Sequence, residues 1–216
     1  TSDCGFPSSI WLASRSPRRK ALLETLGLNV AVFLAQAAPE AEALEAPHAN
    51  ENSALYVQRV TRLKLLSALE AMSKENLNGI VLAADTTVAL RGLILGKPAD
   101  ASDARAMLQS LSNTTHQVHT GVAVCDLTAF HTQGEAAMQV VMQTSDVQFD
   151  TIPLDFIDAY IASGEPFDKA GAYGIQGIIG QYVRYISGSH SGIMGLPLFE
   201  ASELLRKAHA AAAQPS

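Results

Sequence analysis

The first hydrophobic segment of the chain predicts a short buried strand that turns directly into a helix. The strand is SIWLAS (9–14), and the helix is SPRRKALLETLG (16–27). Ser16 can cap this helix, Pro17 suits its first position, leucines recur along one side, and Gly27 provides a stop. The pattern therefore places a strand-to-helix corner just before Pro17.

Helical spacing of apolar residues returns in NSALYVQRVTRLKLLSALEAM (52–72). Asn52 or Ser53 is the expected cap of this second helix. Before it, the segment from Ala35 to Asn52 is rich in alanine, glutamate and proline and has no clear period. We predict a mobile loop there.

The run GIVLAADTTVAL (79–90) is continuous and apolar except for Asp85, which predicts a buried strand. Arg91-Gly92 then indicates a hairpin turn into LILGKP. Later segments predict a helix, two long strands, a helix closed by glycine, a glycine-rich loop and a C-terminal helix: SDARAMLQSL, HQVHTGVAVCDL, AMQVVMQTSDVQFD, PLDFIDAYIASG, GEPFDKAGAYGIQG and GIMGLPLFEASELLRKAHAAAA.

Strands alternate with helices early in the chain and pair as long antiparallel runs in its middle. This order predicts an α/β protein with a mixed sheet. We expect a flexible N-terminus over residues 1–9, one domain over residues 10–207, and a frayed tail over residues 208–216. A chain of 216 residues, 48% of them hydrophobic, is long enough to bury a substantial core.

Composition narrows the possible locations and partners. No apolar run approaches the roughly 20 residues that span a bilayer, and the N-terminus has no signal-peptide pattern, so we expect a cytoplasmic protein without a membrane partner. The formal net charge of −6 argues against a nucleic-acid partner. Cys4 and Cys125 lie far apart and fit neither a disulfide framework nor a zinc-ligand pattern.

The corner formed by residues 14–19 has the chemistry of an anion site. A helix N-terminus presents free backbone N–H groups and the positive end of the helix dipole. Ser14, Ser16, Arg18 and Arg19 add hydroxyl groups and formal positive charge at the same place. A polyanion is the ligand that such a corner favours.

Asp85 is the most distinctive single residue because an unpaired carboxylate is costly to bury. It either caps the turn that follows or acts as a metal ligand or general base at a cleft. Lys64 and Lys97 could be ordinary surface lysines, while the amide of Gln176 could present a donor and an acceptor to a base. The strand-like sequence places His116 and His119 on opposite faces, so they should not share a metal. Serine-hydrolase, P-loop and dinucleotide-binding motifs are absent from the sequence.

Six blocks taken together resemble the Maf family of nucleoside triphosphate pyrophosphatases. In chain order they are LASRSPRR, YVQRVTRLK, AADTTV, GKPAD, GEPFDKAGAYGIQG and GIMGLPL. The resemblance implies a two-lobed α/β fold like that of inosine triphosphatase, with an elongated mixed sheet around a cleft. It also implies that a nucleoside triphosphate is hydrolysed to the monophosphate and pyrophosphate with Mg²⁺ or Mn²⁺, and that the protein could form a homodimer.

The resemblance assigns expected roles to individual residues. Asp85 matches the family's proton acceptor, Arg19 belongs to the basic pair after the Ser-x-Ser-Pro turn, and Lys64 and Lys97 match lysines near the phosphates. The combination that matches the dTTP/UTP branch comprises Arg18, Thr86 and Gln176. The branch acting on 7-methyl-GTP carries tryptophan, glutamine and glutamate at these places.

The sequence departs from the family pattern at several positions. Arg15 replaces a glycine, and Leu63 replaces the glutamate that normally precedes the helix lysine. The acidic pair after the first helix is blurred, so its equivalent could be Glu40, Glu42 or Glu45. We favour Glu42, together with the catalytic aspartate, as the metal ligands.

Two alternatives to a dTTP/UTP pyrophosphatase stay open at this point. One is the same chemistry on 7-methyl-GTP or on modified nucleotides. The other is a nucleotide-binding regulator of cell division and septum formation in which hydrolysis is vestigial.

Overall fold

The computed structural model describes residues 5–35, 46–49 and 51–213. Within them, a seven-stranded sheet has the order β2-β1-β3-β5-β6-β7, and β4 pairs with β3 beside this path. β1 is parallel to β2 and β3, whereas the other pairings are antiparallel. The predicted mixed α/β sheet is therefore confirmed. The strands are β1 Ser9–Leu12, β2 Asn29–Val32, β3 Ile80–Leu90, β4 Leu93–Leu95, β5 Thr115–Asp126, β6 Gln139–Phe149 and β7 Val183–Ser187.

Helices flank the sheet on both faces. They are α1 Pro17–Glu24, α2 Ser53–Lys74, α3 Ala101–Leu111, α4 Leu127–Gln133, α5 Leu154–Ala162, α6 His190–Met194 and α7 Leu198–Ala212. Short 3₁₀ turns at Glu165–Asp168, Ala170–Ala172 and Ile178–Tyr182 shape the glycine-rich segment and the chain after it. None of the helices in the described part of the chain is both long and apolar enough to cross a membrane.

The predicted corner before α1 is confirmed in detail. Ser16 caps the helix by accepting a hydrogen bond from Arg19 N at 3.4 Å, and Pro17 occupies the first helical position.

The hairpin after β3 turns through Arg91 and Gly92, whose φ angles are 51° and 82°. Two positive φ angles in a two-residue loop match the twist of the paired strands.

Three features differ from the predictions. Strand β2 lies at the sheet edge with mostly exposed side chains, so its apolar signal is weak. Helix α4 was not predicted; Asp126 caps it by accepting hydrogen bonds from Thr128 N and Ala129 N. The predicted continuous C-terminal helix is wrong, because α6 ends at Gly195, with φ of 123°, and α7 begins after Pro197.

Buried side chains form three clusters that define two lobes. In the first lobe, one cluster lies between the sheet, α1 and α7, and another lies between the opposite sheet face and α2. The second lobe has one cluster, which joins the other ends of β3 and β5 to α3, α5 and the glycine-rich segment. Strands β3 and β5 are long enough to run through both lobes.

The termini of the described chain pack on the first lobe. Phe6 contacts its core, and the guanidinium carbon of Arg206 lies 4.4 Å from the Phe6 ring centroid. Helix α7 continues through Ala208, which is buried, into the first part of the predicted 208–216 tail. The predicted loop from Ala35 to Asn52 lies largely outside the described residues.

Candidate active site

A cavity of about 1050 Å³ separates the two lobes. Residues from both lobes line it, including every predicted site residue in the described part of the chain: Ser14, Ser16, Arg18, Arg19, Lys64, Asp85, Thr86, Lys97 and Gln176. Glu42, the predicted second metal ligand, lies outside the described residues, as do Glu40 and Glu45. The structure thus brings together residues that are scattered over most of the sequence.

The cavity opens where one edge of β3 has no partner strand among the described residues. β1 pairs with β3 at Val81 and Leu82, and β4 pairs with it from Val88 onward. Asp85 and Thr86 lie in the gap between these two pairings. Because neighbouring residues of a strand point to opposite faces, the Asp85 and Thr86 side chains reach the cavity on opposite sides of the sheet.

Asp85 is placed against α2 by the close approach of that helix to the sheet. The residue opposite Asp85 on β5 is Gly121, and a Cβ atom there would overlap the hydroxyl oxygen of Thr61 on α2. Lys64 lies one helical turn after Thr61, and its Nζ donates to Asp85 Oδ1 at 2.5 Å. Asp85 therefore has a charged partner in the middle of its strand, and the alternative that it caps the following turn is wrong.

Arg19 brings a partly buried positive charge to the other side of the sheet. Its Nε donates to the Gly195 carbonyl at 2.8 Å, Nη1 to Ser14 Oγ at 3.2 Å, and Nη2 to Thr86 Oγ1 at 3.1 Å. Burial lowers the pKa of Arg19, although the nearby Asp85 charge opposes this shift. All three acceptors are neutral, so the described part of the chain provides no ion-pair partner that would neutralise the guanidinium. The field around Arg19 favours a bound anion.

An ion pair joins the lobes across the mouth of the cavity. Arg18 Nη1 lies 3.8 Å from Asp168 Oδ2 of the glycine-rich segment, and Lys169 Nζ donates to Asp168 Oδ1 at 2.6 Å. Burial alone would raise the pKa of Asp168, but the Lys169 hydrogen bond and the positive charges of Lys169 and Arg18 lower it overall. Asp168 is consequently a carboxylate between two cations.

Gln176 lies on a turn that packs against the Glu165 carboxylate. Gly177 N donates to the Gly174 carbonyl at 2.9 Å, which closes the turn. A Cβ atom on Gly177 would overlap the Glu165 carboxylate, and Tyr160 Oη donates to Glu165 Oε1 at 3.1 Å. Only a residue without a side chain fits between this carboxylate and the turn, so the glycine here serves a close approach.

Lys97 follows β4 at the edge of the second lobe. The Gly96 carbonyl before it accepts a hydrogen bond from Gly171 N at 3.0 Å, which ties this loop to the glycine-rich segment. Lys97 forms no hydrogen bond or ion pair with other residues in the described ranges. Its ammonium group adds positive charge to the cavity lining.

The histidines lie as their strand positions predict. His116 Nε2 and Tyr173 Oη are 2.7 Å apart on one face, whereas His119 Nε2 is 3.1 Å from Ser53 Oγ on the other.

Burial raises the pKa of Cys125 to about 11, with the Asp126 charge adding to the shift. Residues 5–35, 46–49 and 51–213 contain no group of three or more histidine, cysteine or acidic side chains that could hold a metal ion by themselves.

Other residues complete the surroundings of the site, and two of them, Glu70 and Thr120, were not singled out from the sequence. Glu70 lies on α2 and faces the cavity, as does Leu63, the residue found in place of the family glutamate. Arg15 is exposed at the cavity rim. Thr120 on β5 contacts Thr86 at 3.0 Å, and only the strand register reveals this contact.

These features suit one kind of chemistry. A carboxylate that can accept a proton lies beside a lysine, and fixed positive charges surround it in a cleft between two lobes. Such charges stabilise a polyanionic ligand and the negative charge that develops when a phosphoanhydride bond breaks. The donor set fits phosphate chemistry better than acyl transfer, because in the described ranges no serine or cysteine that lines the cavity is hydrogen-bonded to a histidine.

Comparisons with known proteins agree with this chemistry. A model of the Maf-like protein family matches residues 9–208. A dTTP/UTP pyrophosphatase of Cupriavidus metallidurans is 50% identical over 202 residues, which cover 93% of this chain and 97% of the relative. A dTTP/UTP pyrophosphatase of Albidiferax ferrireducens is 48% identical over 199 residues, which cover 91% of this chain and 95% of the relative.

A solved structure of nucleoside-triphosphatase / dITP/XTP pyrophosphatase from Mycobacterium abscessus also aligns with the chain. Its TM-score is 0.41 at 15% sequence identity, and the alignment covers 95% of this chain and 93% of that chain. A likeness at this level is too low to support a conclusion about the present site.

Proposed function

We propose, because this chain belongs to the Maf-like protein family, that it hydrolyses dTTP and UTP to the monophosphate and pyrophosphate. The single observation that carries the proposal is the Asp85–Lys64 pair in the gap of the β3 edge, within a cavity whose other charged groups are mostly cations. The names of the relatives support the choice of substrates.

Asp85 would act as the general base. Its carboxylate orients a water molecule and takes its proton, while the water oxygen forms a bond to the α-phosphorus. The bond from the α-phosphorus to the oxygen that bridges to the β-phosphorus then breaks, and pyrophosphate leaves with that oxygen. No covalent intermediate with the protein is needed.

Positive side chains would hold the triphosphate. Ser14, Ser16 and Arg19 at the start of α1 serve this role with Lys64 and Lys97, which approach from α2 and β4. A triphosphate carries about four negative charges, and fixed cations stabilise the further charge on the departing pyrophosphate without reorganising.

A divalent cation fits this donor set. Mg²⁺ is typically held by one or two carboxylates together with substrate phosphates, and Asp85 supplies one such carboxylate. Its Oδ2 atom accepts no hydrogen bond from residues in the described ranges. Bound Mg²⁺ or Mn²⁺ would neutralise phosphate charge, and Glu42 is the proposed second ligand.

Arg18, Thr86 and Gln176 would select the base. The Gln176 amide presents a donor and an acceptor, which complements the alternating acceptors and donor of the uracil and thymine imide edge. We further propose that the enzyme is cytoplasmic, acts on free nucleotides, and could form a homodimer.

Pyrophosphate release from a substrate panel tests the proposal. The panel contains dTTP, UTP, CTP, 7-methyl-GTP and the common purine triphosphates, with Mg²⁺ or Mn²⁺, and compares the protein with Asp85→Asn. We expect selective turnover of dTTP and UTP that falls at least about 10³-fold in the variant, because general-base catalysis and charge at the reacting centre are lost together.

Each other result would change the assignment. Turnover of 7-methyl-GTP would keep the enzyme class but overturn the role of Arg18, Thr86 and Gln176. Tight binding of one nucleotide without turnover of any would support a binding protein instead. Full activity of Asp85→Asn would remove Asp85 from the mechanism.

A further inference from the structure

A chain of hydrogen bonds runs from Arg19 through Thr86 to Thr120. Arg19 Nη2 donates to Thr86 Oγ1 at 3.1 Å, and the Oγ1 atoms of Thr86 and Thr120 are 3.0 Å apart. Thr120 Oγ1 donates to the Gly192 carbonyl at 2.8 Å. Thr86 and Thr120 lie directly opposite each other in the β3–β5 register. Thr120 is fully buried, so it has no access to a ligand.

Only one placement of the hydroxyl hydrogens satisfies all of these contacts. A carbonyl oxygen can only accept, so Thr120 uses its single hydrogen on Gly192. Thr86 must then donate its own hydrogen to Thr120, while it accepts from Arg19, which can only donate. The Thr86 hydroxyl is left with a lone pair and no hydrogen for a ligand.

Thr86 lines the cavity on the face of the sheet opposite to the Asp85–Lys64 pair. The same face carries the cluster that contains Tyr173 and Ile175, next to the turn that holds Gln176. A nucleoside placed by that turn would lie on the Thr86 side, and its phosphates would reach Asp85 around the free edge of β3. This placement rests on the proposed function above.

We propose that Thr120 is a positioning residue that makes Thr86 an acceptor-only group and so tunes the cavity for an N–H or O–H donor of the nucleoside. Two such donors are shared by dTTP and UTP, the imide N–H of the base and the 3′-hydroxyl of the sugar. Phosphate oxygens carry no hydrogen to donate at neutral pH, so a phosphate oxygen next to Thr86 would be repelled by the lone pair of its hydroxyl oxygen. Cytosine has an acceptor in place of the imide N–H, which Thr86 would reject.

The test measures binding, so that it does not depend on turnover. Calorimetry with α,β-methylene analogues of dTTP, dCTP and 3′-deoxy-dTTP gives two ratios of Kd for each protein variant. For the wild type we expect at least one ratio of about tenfold in favour of the dTTP analogue, since a buried donor or acceptor left unpaired typically costs that much. The dCTP ratio reports on the base, and the 3′-deoxy ratio reports on the sugar.

Thr120→Val keeps the shape of the side chain but removes its hydroxyl. The Thr86 hydrogen then loses its acceptor and is released toward the cavity, so the larger ratio should fall at least about threefold, whereas Thr120→Ser should restore it. If Thr120→Val does not fold, Thr86→Val removes the acceptor itself and should lower the same ratio. Unchanged ratios in the folded valine variants would overturn the inference.

Separate turnover measurements distinguish this inference from the proposed function. If the wild type hydrolyses dTTP but Thr120→Val leaves both Kd ratios unchanged, the proposed function is retained and the inference is rejected. Selective binding that depends on Thr120, without any hydrolysis, would support the inference and reject the proposed reaction.

Discussion

At the scale of single residues, the site contains two kinds of charged group: one is paired with an opposite charge, and the other is bonded to neutral atoms. Asp85 and Arg19 are both partly buried, but Asp85 lies next to the Lys64 ammonium, whereas Arg19 donates to neutral oxygen atoms. Removing one member of a partly buried ion pair leaves the other uncompensated. The two faces of β3 therefore respond differently to substitution.

Lys64→Met should lower kcat/KM for dTTP by about 10²-fold or more, because it removes a fixed cation from the place where charge develops. Lys64→Arg keeps the charge and should retain part of the activity. Lys74→Met is the matched control, since Lys74 is exposed at the end of the same helix. Steady-state kinetics on the three variants checks this, and wild-type activity in Lys64→Met would exclude Lys64 from phosphate binding.

The residue types of the site could be predicted from the sequence, but their contacts could not. Asp85 stands out because it interrupts an apolar strand, and Arg19 because it follows a helix cap. Thr120 has no such signal, since a threonine in a strand is unremarkable until the register places it opposite Thr86. Pairing across strands depends on the global topology.

At the scale of secondary-structure elements, the approach of α2 to the sheet decides where the reacting groups meet. Thr61 Oγ1 donates to the Val57 carbonyl at 2.6 Å inside the helix, so this hydroxyl is fixed where it faces Gly121. A larger residue on β5 would push the helix away. Lys64 would then move away from Asp85.

Gly121→Ala should lower the free energy of unfolding by roughly 1–3 kcal/mol, because the added methyl group overpacks the helix–sheet contact. Gly96→Ala is the control: a Cβ atom there meets no atom within 4 Å, and its φ is not positive. Urea unfolding of both variants measures the difference. Equal stability of the two variants would show that α2 adapts to the extra methyl group without cost.

Elements with strong local signals were predictable, and those that depend on tertiary contacts were not. Helix α1 carries its own cap and proline, and the hairpin carries the Arg91-Gly92 turn. Strand β2 forms by pairing with β1, although its side chains are mostly exposed. Repeated apolar residues on both sides of Gly195 and Pro197 conceal the break before α7.

At the scale of the whole molecule, the two lobes share β3 and β5, so a change in one lobe is transmitted along common strands. His116 of β5 lies in the second-lobe core between Phe149 and Tyr173, and the residue is only 2% exposed. Its Nδ1 atom is buried and has no hydrogen-bond partner among the residues that the structure describes. Burial lowers the pKa of His116 to about 4.

This buried histidine predicts how stability depends on pH. In the unfolded chain the ring takes up a proton near pH 6.5, whereas the folded chain resists protonation down to about pH 4. The unfolded state therefore binds more protons in this window, and stability should fall by up to about 3 kcal/mol as the pH decreases from 7 toward 4. Burial also lowers the pKa of His119, which adds to the loss although Asp146 opposes that shift.

His116→Gln isolates the contribution of one ring, because an amide can keep a hydrogen bond to Tyr173 but does not titrate. Urea unfolding of both proteins between pH 7 and 4.5 should show a shallower pH dependence in the variant. The hydrogen bond from Arg59 lowers the pKa of Glu51 to about 2, but this carboxyl group is present in both proteins, so its contribution cancels from the difference between their slopes. Identical slopes in the two proteins would mean that the second lobe opens enough to solvate His116 before the molecule unfolds.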